Sequence, residues 1–365
     1  FKDPLGLCPL NKDEGLFHRT KRGRLDLLKI TKRHNQYIYG LIIPKRRRYF
    51  FKSLDRSFEN FRLEDTKLDI KEPTYIEAYI SDYRKALCRF SKIIAKGDDP
   101  KALRAILLAK YHVPFNFPKN VLKEAENIKP LERKREDYRS LLTVTIDGDS
   151  AKDFDDAISV FKKRDNYELF VHIADVSAYV LKNSALDKEA LRRGNSLYYA
   201  NTVTPMLPGT LSDDLCSLRP DEDRLSLTVY MLIDKNGEVL DEKIEESLIR
   251  SNYRLTYKSV EDHIDQKEVF KDKKLSKMIF EAYELSLIIE KRRLKDGAIE
   301  FYDEESEFTY QNDKLIDLKA HKDLKSEKLI ANFMIMANNT IAKRMYHLGL
   351  PLIYRNHPSP KKEEL

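Results

Sequence analysis

The segment TVTIDGDSAKDFDDAISV, residues 143–160, constrains the chain more than any other. Four aspartates stand at offsets 0, +6, +8 and +9: Asp147, Asp153, Asp155 and Asp156. Asp149 lies in the same stretch. The flanks TVTI and AISVF read as buried strand. A solvated acidic loop is one reading, but buried flanks make it costly. Like charges held close to a core repel strongly at low effective dielectric. A divalent cation would relieve that repulsion, and an all-oxygen donor set suits a hard ion, Mg²⁺ or Mn²⁺, better than zinc. An EF-hand fails by position. A loop begun at Asp147 has Lys152 at position 6 and Ile158 at position 12. One begun at Asp153 has Ile158 and Arg164 there. Neither supplies the required Gly and Glu.

Charge gives the acids a context. The 365-residue chain carries a net charge of +7, and 35% of its residues are charged. Between residues 18 and 52 numerous Lys and Arg face a single acid, Asp26. Tyr37, Tyr39, Tyr49, Phe50 and Phe51 alternate with those cations. Cations for phosphates and rings for bases are what a single-strand-binding β-barrel presents. The alternative is a solvated basic hairpin over an aromatic core. A carboxylate-rich cation site in a basic protein points to phosphodiester chemistry, in which one metal activates water and a second, about 3.5–4 Å away, stabilises the leaving oxygen. A structural cation and a plain Asp-rich loop remain open at this point.

Periodicity divides the rest. A β-rich module, of OB type, is expected over 20–97, after an N-terminal segment of uncertain role over 1–19. A helical connector over 98–139 opens at DDPKALR, with Pro100 near the helix start. Beyond it, AISVF and YELFVHIADVSAYV form a hairpin, and NSALDKEALRRG a helix started by Asn183 or Ser184 and ended by Gly194. DKNGE turns a second hairpin. Two long helices, each ending at a glycine, follow. Cys8, Cys88 and Cys216 are too few and too scattered for a disulfide framework or a zinc cluster. No apolar run is long enough to cross a membrane, and no signal peptide is visible. The chain begins at Phe1 and is expected to be part of a longer protein.

TVTIDGDSAKDFDDAIS resembles the signature of the ribonuclease II/ribonuclease R (RNB-domain) family of 3′→5′ exoribonucleases. The likeness continues through LFVHIADVSAYV, RRGNSLYYANTVTPMLPGTLSDDLCSLRPDEDRLSLTVYMLID, SLIRSNYRLTYKSV, KRRLKDGAIEF and LPLIYRNHPSP, in the family's order. The resemblance implies an α+β fold: an RNB catalytic domain over 140–365, with a mixed sheet and packed helices, preceded by a cold-shock-type OB barrel and the connector. It implies that Asp147, Asp153, Asp155 and Asp156 hold Mg²⁺ and orient the attacking water, with Asp147 and Asp156 as direct ligands and Asp155 indispensable. Asp149 is a bystander. Tyr198 in SLYYA and Phe301 in GAIEF are expected to stack on the last bases of single-stranded RNA, with Tyr199 the competitor for the first role. His172, Cys216 and Arg224 read as structural. A cytosolic monomer is expected. The chain departs from the family pattern at Ala331 and Asn332, where an acidic pair is usual. The family's later catalytic Arg, its Glu and its S1-type domain have no counterpart among these 365 residues, so the catalytic domain is expected to be incomplete.

Overall fold

The structure is a computed structural model. It describes residues 13–21, 23–33, 36–45, 48–65, 68–97, 100–114, 116–199, 202–299, 306–311, 314–320 and 323–355. In chain order the elements are β1 (Glu14–Arg19), β2 (Leu25–Lys32), β3 (Tyr37–Lys45), β4 (Arg48–Ser53), β5 (Arg62–Leu63), β6 (Thr74–Asp82), β7 (Leu87–Lys96), α1 (Pro100–Lys110), α2 (Lys119–Glu126), β8 (Glu136–Asp137), β9 (Val144–Asp147), β10 (Asp156–Lys163), β11 (Asn166–Ala174), α3 (Ala185–Arg193), β12 (Leu197–Tyr199), β13 (Thr202–Thr204), β14 (Asp223–Ile233), β15 (Val239–Arg250), β16 (Tyr253–Thr256), α4 (Tyr257–Ile264), α5 (Lys273–Lys295), β17 (Ser306–Gln311), β18 (Lys314–Ala320) and α6 (Lys325–His347). This is an α+β chain of mixed sheets and helices. It divides into two compact units. The first comprises Phe1–Asn116, Tyr198–Thr204 and Tyr310–Ile316, and the second Phe117–Leu197, Pro205–Thr309 and Asp317–Leu365.

In the first unit the basic stretch splits into separate parts. Among the described residues β1 and β2 pair with each other in a two-stranded sheet. β3 to β7 form a five-stranded sheet in the order β4-β3-β6-β7-β5, antiparallel except for β5 beside β7. Ile38, Ile42, Ile76, Ala78 and Cys88 alternate inward to make its core. The aromatics divide by what covers them: on the other face of β3, Tyr39 packs with Ala102 and Ile106 of α1. Tyr39 is buried and donates its hydroxyl to Glu77, whereas Tyr37 and Phe50 are exposed. Lys45 stands over the Phe50 ring. Gly40 is required by close approach: a Cβ there would lie 2.4 Å from a Phe51 ring carbon and 2.7 Å from the Lys52 carbonyl.

In the second unit seven strands run in the order β16-β9-β10-β11-β14-β15-β8. One face carries Val144, Ile146, Ile158, Val160, Leu169, Val171, Val229 and Met231 against the apolar faces of α4, α5 and α6. The other carries Ala157 and Ala174 against α2, α3 and Leu218. This double cover explains why the strand flanks of the aspartate stretch are buried on both faces, with Thr143, Thr145 and Ser159 on the second. Local signals act as the sequence suggests. Ser184, and not Asn183, caps α3 by accepting from the Asp187 amide, and Gly194 ends it at φ +80°. Gly237 turns the β14–β15 hairpin at φ +78°. Among the described residues no helix is long and apolar enough to cross a membrane.

Candidate active site

The aspartates sit on and between two adjacent interior strands, β9 and β10. Asp147 ends β9 and Asp156 begins β10. The strands pair antiparallel at Ile158–Val144, so the connecting loop lies at one end of both strands. Packing and hydrogen bonds fix its descending limb. Phe154 is buried in the α2–α3 core. The Ser217 hydroxyl donates to the Lys152 carbonyl at 2.8 Å and accepts from the Phe154 amide at 3.1 Å. The Ala174 amide donates to the Asp155 carbonyl at 2.9 Å. Asp155 and Asp156 thereby become neighbours of β11, whose Ile173 lies in register with Asp156.

Electrostatics ties the carboxylates together. Burial pushes Asp147 up to about 7, with Asp156 the next cause; Asp153 and Asp155 add to it, while Arg254 opposes the rise. Burial, then Asp155, raises Asp156 to about 6. Asp155 is open to solvent on its surface, yet partial desolvation and then Asp153 raise it too. The Tyr257 hydroxyl, at the start of α4, is pushed up to about 12 by burial and then by Asp147 and Asp156. Among the described residues, two buried side-chain oxygens have no hydrogen-bond partner: Thr145 Oγ1 and Asp147 Oδ2. An unsatisfied buried carboxylate oxygen among like charges is what a bound cation would satisfy. The donor set, carboxylate oxygens alone, suits a hard divalent ion. Even so, among the described residues no three His, Cys, Asp or Glu side chains stand in an arrangement that grips a metal ion. The chemistry of the donors fits Mg²⁺, and the carboxylates would have to draw together to hold it.

The other expected residues fall in different places. Tyr198 lies in the β12–β13 hairpin, in the first unit, with its ring exposed. Phe301 lies outside the described residues. Asp149 is exposed on the loop. His172 is fully buried in a chain of hydroxyls, bonded to Ser159 and, at 2.7 Å, to Thr228. Burial depresses it to about 3, which keeps it neutral. Arg224 pairs with Asp214 and Glu222 and donates to the Ser217 carbonyl, behind the loop clasp. Cys216 is buried. Asn332, in place of an expected acid, accepts from Arg293 and donates to the Ser286 hydroxyl.

Sequence pattern supplies the identity of the fold. The RNB domain matches residues 135–365. The chain belongs to the RNB-domain family. Its relatives include a ribonuclease R of Mycoplasmopsis pulmonis, 37% identical over 346 residues, which are 92% of this chain and 48% of that protein. A ribonuclease R of Thermotoga maritima is 39% identical over 83% of this chain and 44% of its own length. The chain thus spans about half the length of the curated relatives it matches. A solved structure of Mycoplasma genitalium RNase R in complex with ribose-methylated single-stranded RNA superposes with a TM-score of 0.85. It is 26% identical, over 96% of this chain and 58% of that one. The RNB segment contains the whole seven-stranded sheet and its aspartate loop.

Proposed function

We propose that the protein is a metal-dependent 3′→5′ exoribonuclease that hydrolyses single-stranded RNA to nucleoside 5′-monophosphates. The observation that carries this reading is the β9–β10 loop. Four aspartates are held there at the end of two core strands; burial and neighbouring acids raise the pKa of Asp147, Asp155 and Asp156, and one carboxylate oxygen is unsatisfied. Asp147 and Asp156 would hold Mg²⁺, with Mn²⁺ as a substitute, and Asp153 and Asp155 would complete the set. A bound ion would offset part of the charge of the four acids, activate water and stabilise the departing oxygen. Asp155, the most solvent-open of the shifted acids, is suited to orient the attacking water. The buried sheet beneath keeps the carboxylates from spreading apart in solvent.

In the same reading Tyr198 and Phe301 stack on the terminal bases, which suits an enzyme indifferent to sequence because every base has a π-face. We read β3–β7 as a cold-shock-type OB module that guides the strand. Its strand order, with β5 parallel to β7, and its exposed Tyr37 and Phe50 support that assignment. The proposed division remains 20–97, 98–139 and 140–365, with the five-stranded sheet supporting the first over β3–β7. That a related RNase R was solved with single-stranded RNA adds support.

One observation favours a second reading, an RNA-binding protein of this fold without catalysis: the aspartates are not gathered into a ready cation site. The test is incubation of the full-length protein with 5′-labelled single-stranded RNA and Mg²⁺, beside an Asp155→Asn variant. Stepwise shortening by the wild type alone supports the enzyme. RNA that is bound but never shortened supports the second reading and ends the first.

A further inference from the structure

The descending limb of the aspartate loop is fastened by Ser217 and Phe154. Its ascending limb, Gly148 to Asp149, is held from another direction. β16 lies parallel to β9, with Arg254 opposite Thr145 and Thr256 opposite Asp147. Arg254 is therefore two residues short of the strand end from which the loop departs. Its side chain reaches forward, and Nη2 donates to the Gly148 carbonyl at 2.5 Å and to the Asp149 carbonyl at 3.0 Å. The guanidinium carbon also lies 5.5 Å from the centre of the Phe154 ring, within cation–π range. One side chain thus touches both limbs. The Gly148 carbonyl accepts a further bond from the Ala151 amide at 3.2 Å, so the same atom anchors the turn.

We propose that Arg254 is a positioning residue that holds the aspartate loop closed by capturing two of its carbonyls and covering Phe154. The loop and its ends carry Asp147, Asp149, Asp153, Asp155 and Asp156 against one base, Lys152. Repulsion among these acids drives the loop open. Charge-assisted bonds to backbone carbonyls resist that opening without occupying a carboxylate oxygen. The acids thus remain available to an ion, and the cation that steadies them stays on the backbone side. This deepens the metal-site reading above, on which it rests only for its metal readout.

Charge and clamping make opposite predictions, which gives the test its edge. A positive charge beside a cation site weakens cation binding, so its removal alone would tighten Mg²⁺. Loss of a clamp would weaken Mg²⁺ binding. The experiment compares wild type with Arg254→Ala and Arg254→Lys. Lysine restores the charge but is shorter and lacks the planar face that lies over Phe154. Hydrogen exchange of the Ala151 amide is measured without metal, and Mg²⁺ binding by calorimetry. The clamp predicts that Ala151 exchanges about tenfold faster in the alanine variant, the factor expected for losing a bond to a charged donor. Amides in the middle of β10 stay unchanged. It also predicts weaker Mg²⁺ binding in alanine, with lysine recovering only a minor part. Unchanged exchange at Ala151, or tighter Mg²⁺ binding in the alanine variant, overturns the proposal. If alanine fails to fold, a lysine variant that behaves as wild type in both measurements overturns it equally. A wild type that binds no Mg²⁺ refutes the enzymatic reading instead, and the exchange measurement still decides the clamp.

Discussion

Three titratable groups in the RNB domain, two carboxyls and one imidazole, set opposing trends of its stability with pH. Asp147 is raised to about 7 and Asp156 to about 6 in the folded chain, above their unfolded range. Without metal, their contribution to stability is full below about pH 4 and is lost as pH rises through 6 to 7. Mg²⁺ should therefore raise the melting temperature more at pH 8 than at pH 5. Asp147→Asn should stabilise the metal-free protein at pH 8 by about 1–2 kcal/mol, a figure discounted for solvent screening, and should abolish most of the Mg²⁺ response. Thermal melts at the two pH values with and without Mg²⁺ check both statements; a variant still fully responsive to Mg²⁺ would remove Asp147 from the ligand set. His172 works the other way. Its folded value of about 3 lies below the unfolded one near 6.5, so its contribution is lost as pH falls from 6.5 toward 3. His172→Gln should flatten the acid limb of a denaturant-midpoint profile, at a cost of about 1–3 kcal/mol near neutrality from disturbed bonds to Thr228 and Ser159.

At the level of elements, the loop between β9 and β10 is fastened by groups from far away in sequence. Ser217 serves both a carbonyl and an amide of the loop while fully buried. Ser217→Ala should leave two backbone groups unsatisfied and cost about 1–3 kcal/mol. It should also lower kcat on single-stranded RNA more than it changes RNA affinity, a split that steady-state kinetics reads directly. Strand and helix limits were legible because their signals are local. Alternation marks β10 and β11, and Ser184 and Gly194 bracket α3. The aspartates were legible because four acids between apolar flanks need a physical reason. The β16–β9 pairing was not legible. NYRLT is short, and a parallel partner more than a hundred residues earlier leaves no periodic trace. For the same reason Arg254 carried no sign of its target, which is two backbone carbonyls and not a side chain. Nor does alternation tell which strands share a sheet: β2 pairs with β1, and β3–β7 form a sheet of their own.

The whole molecule comprises two units with separate cores, one around Ile42 and Ile76 and one around Ile158 and Val171. Separate cores predict separable damage. Gly40→Ala would force a Cβ against Phe51 and the Lys52 carbonyl. It should lower the stability of the first unit by about 1–3 kcal/mol as overpacking does, and weaken RNA binding. The Mg²⁺-dependent shift of the second unit should be unchanged. Differential scanning calorimetry with and without Mg²⁺ tests this, and a single transition that moves as one in the variant would contradict it. The parallel pairing of β16 with β9 has a temporal consequence as well. The clamp bond joins residues 106 positions apart. At roughly 5–20 residues per second on the ribosome, the aspartate loop emerges about 5–20 s before the arginine that closes it. During synthesis the nascent chain therefore carries its acids without the strand that gathers them, and the site is finished only when β16 arrives.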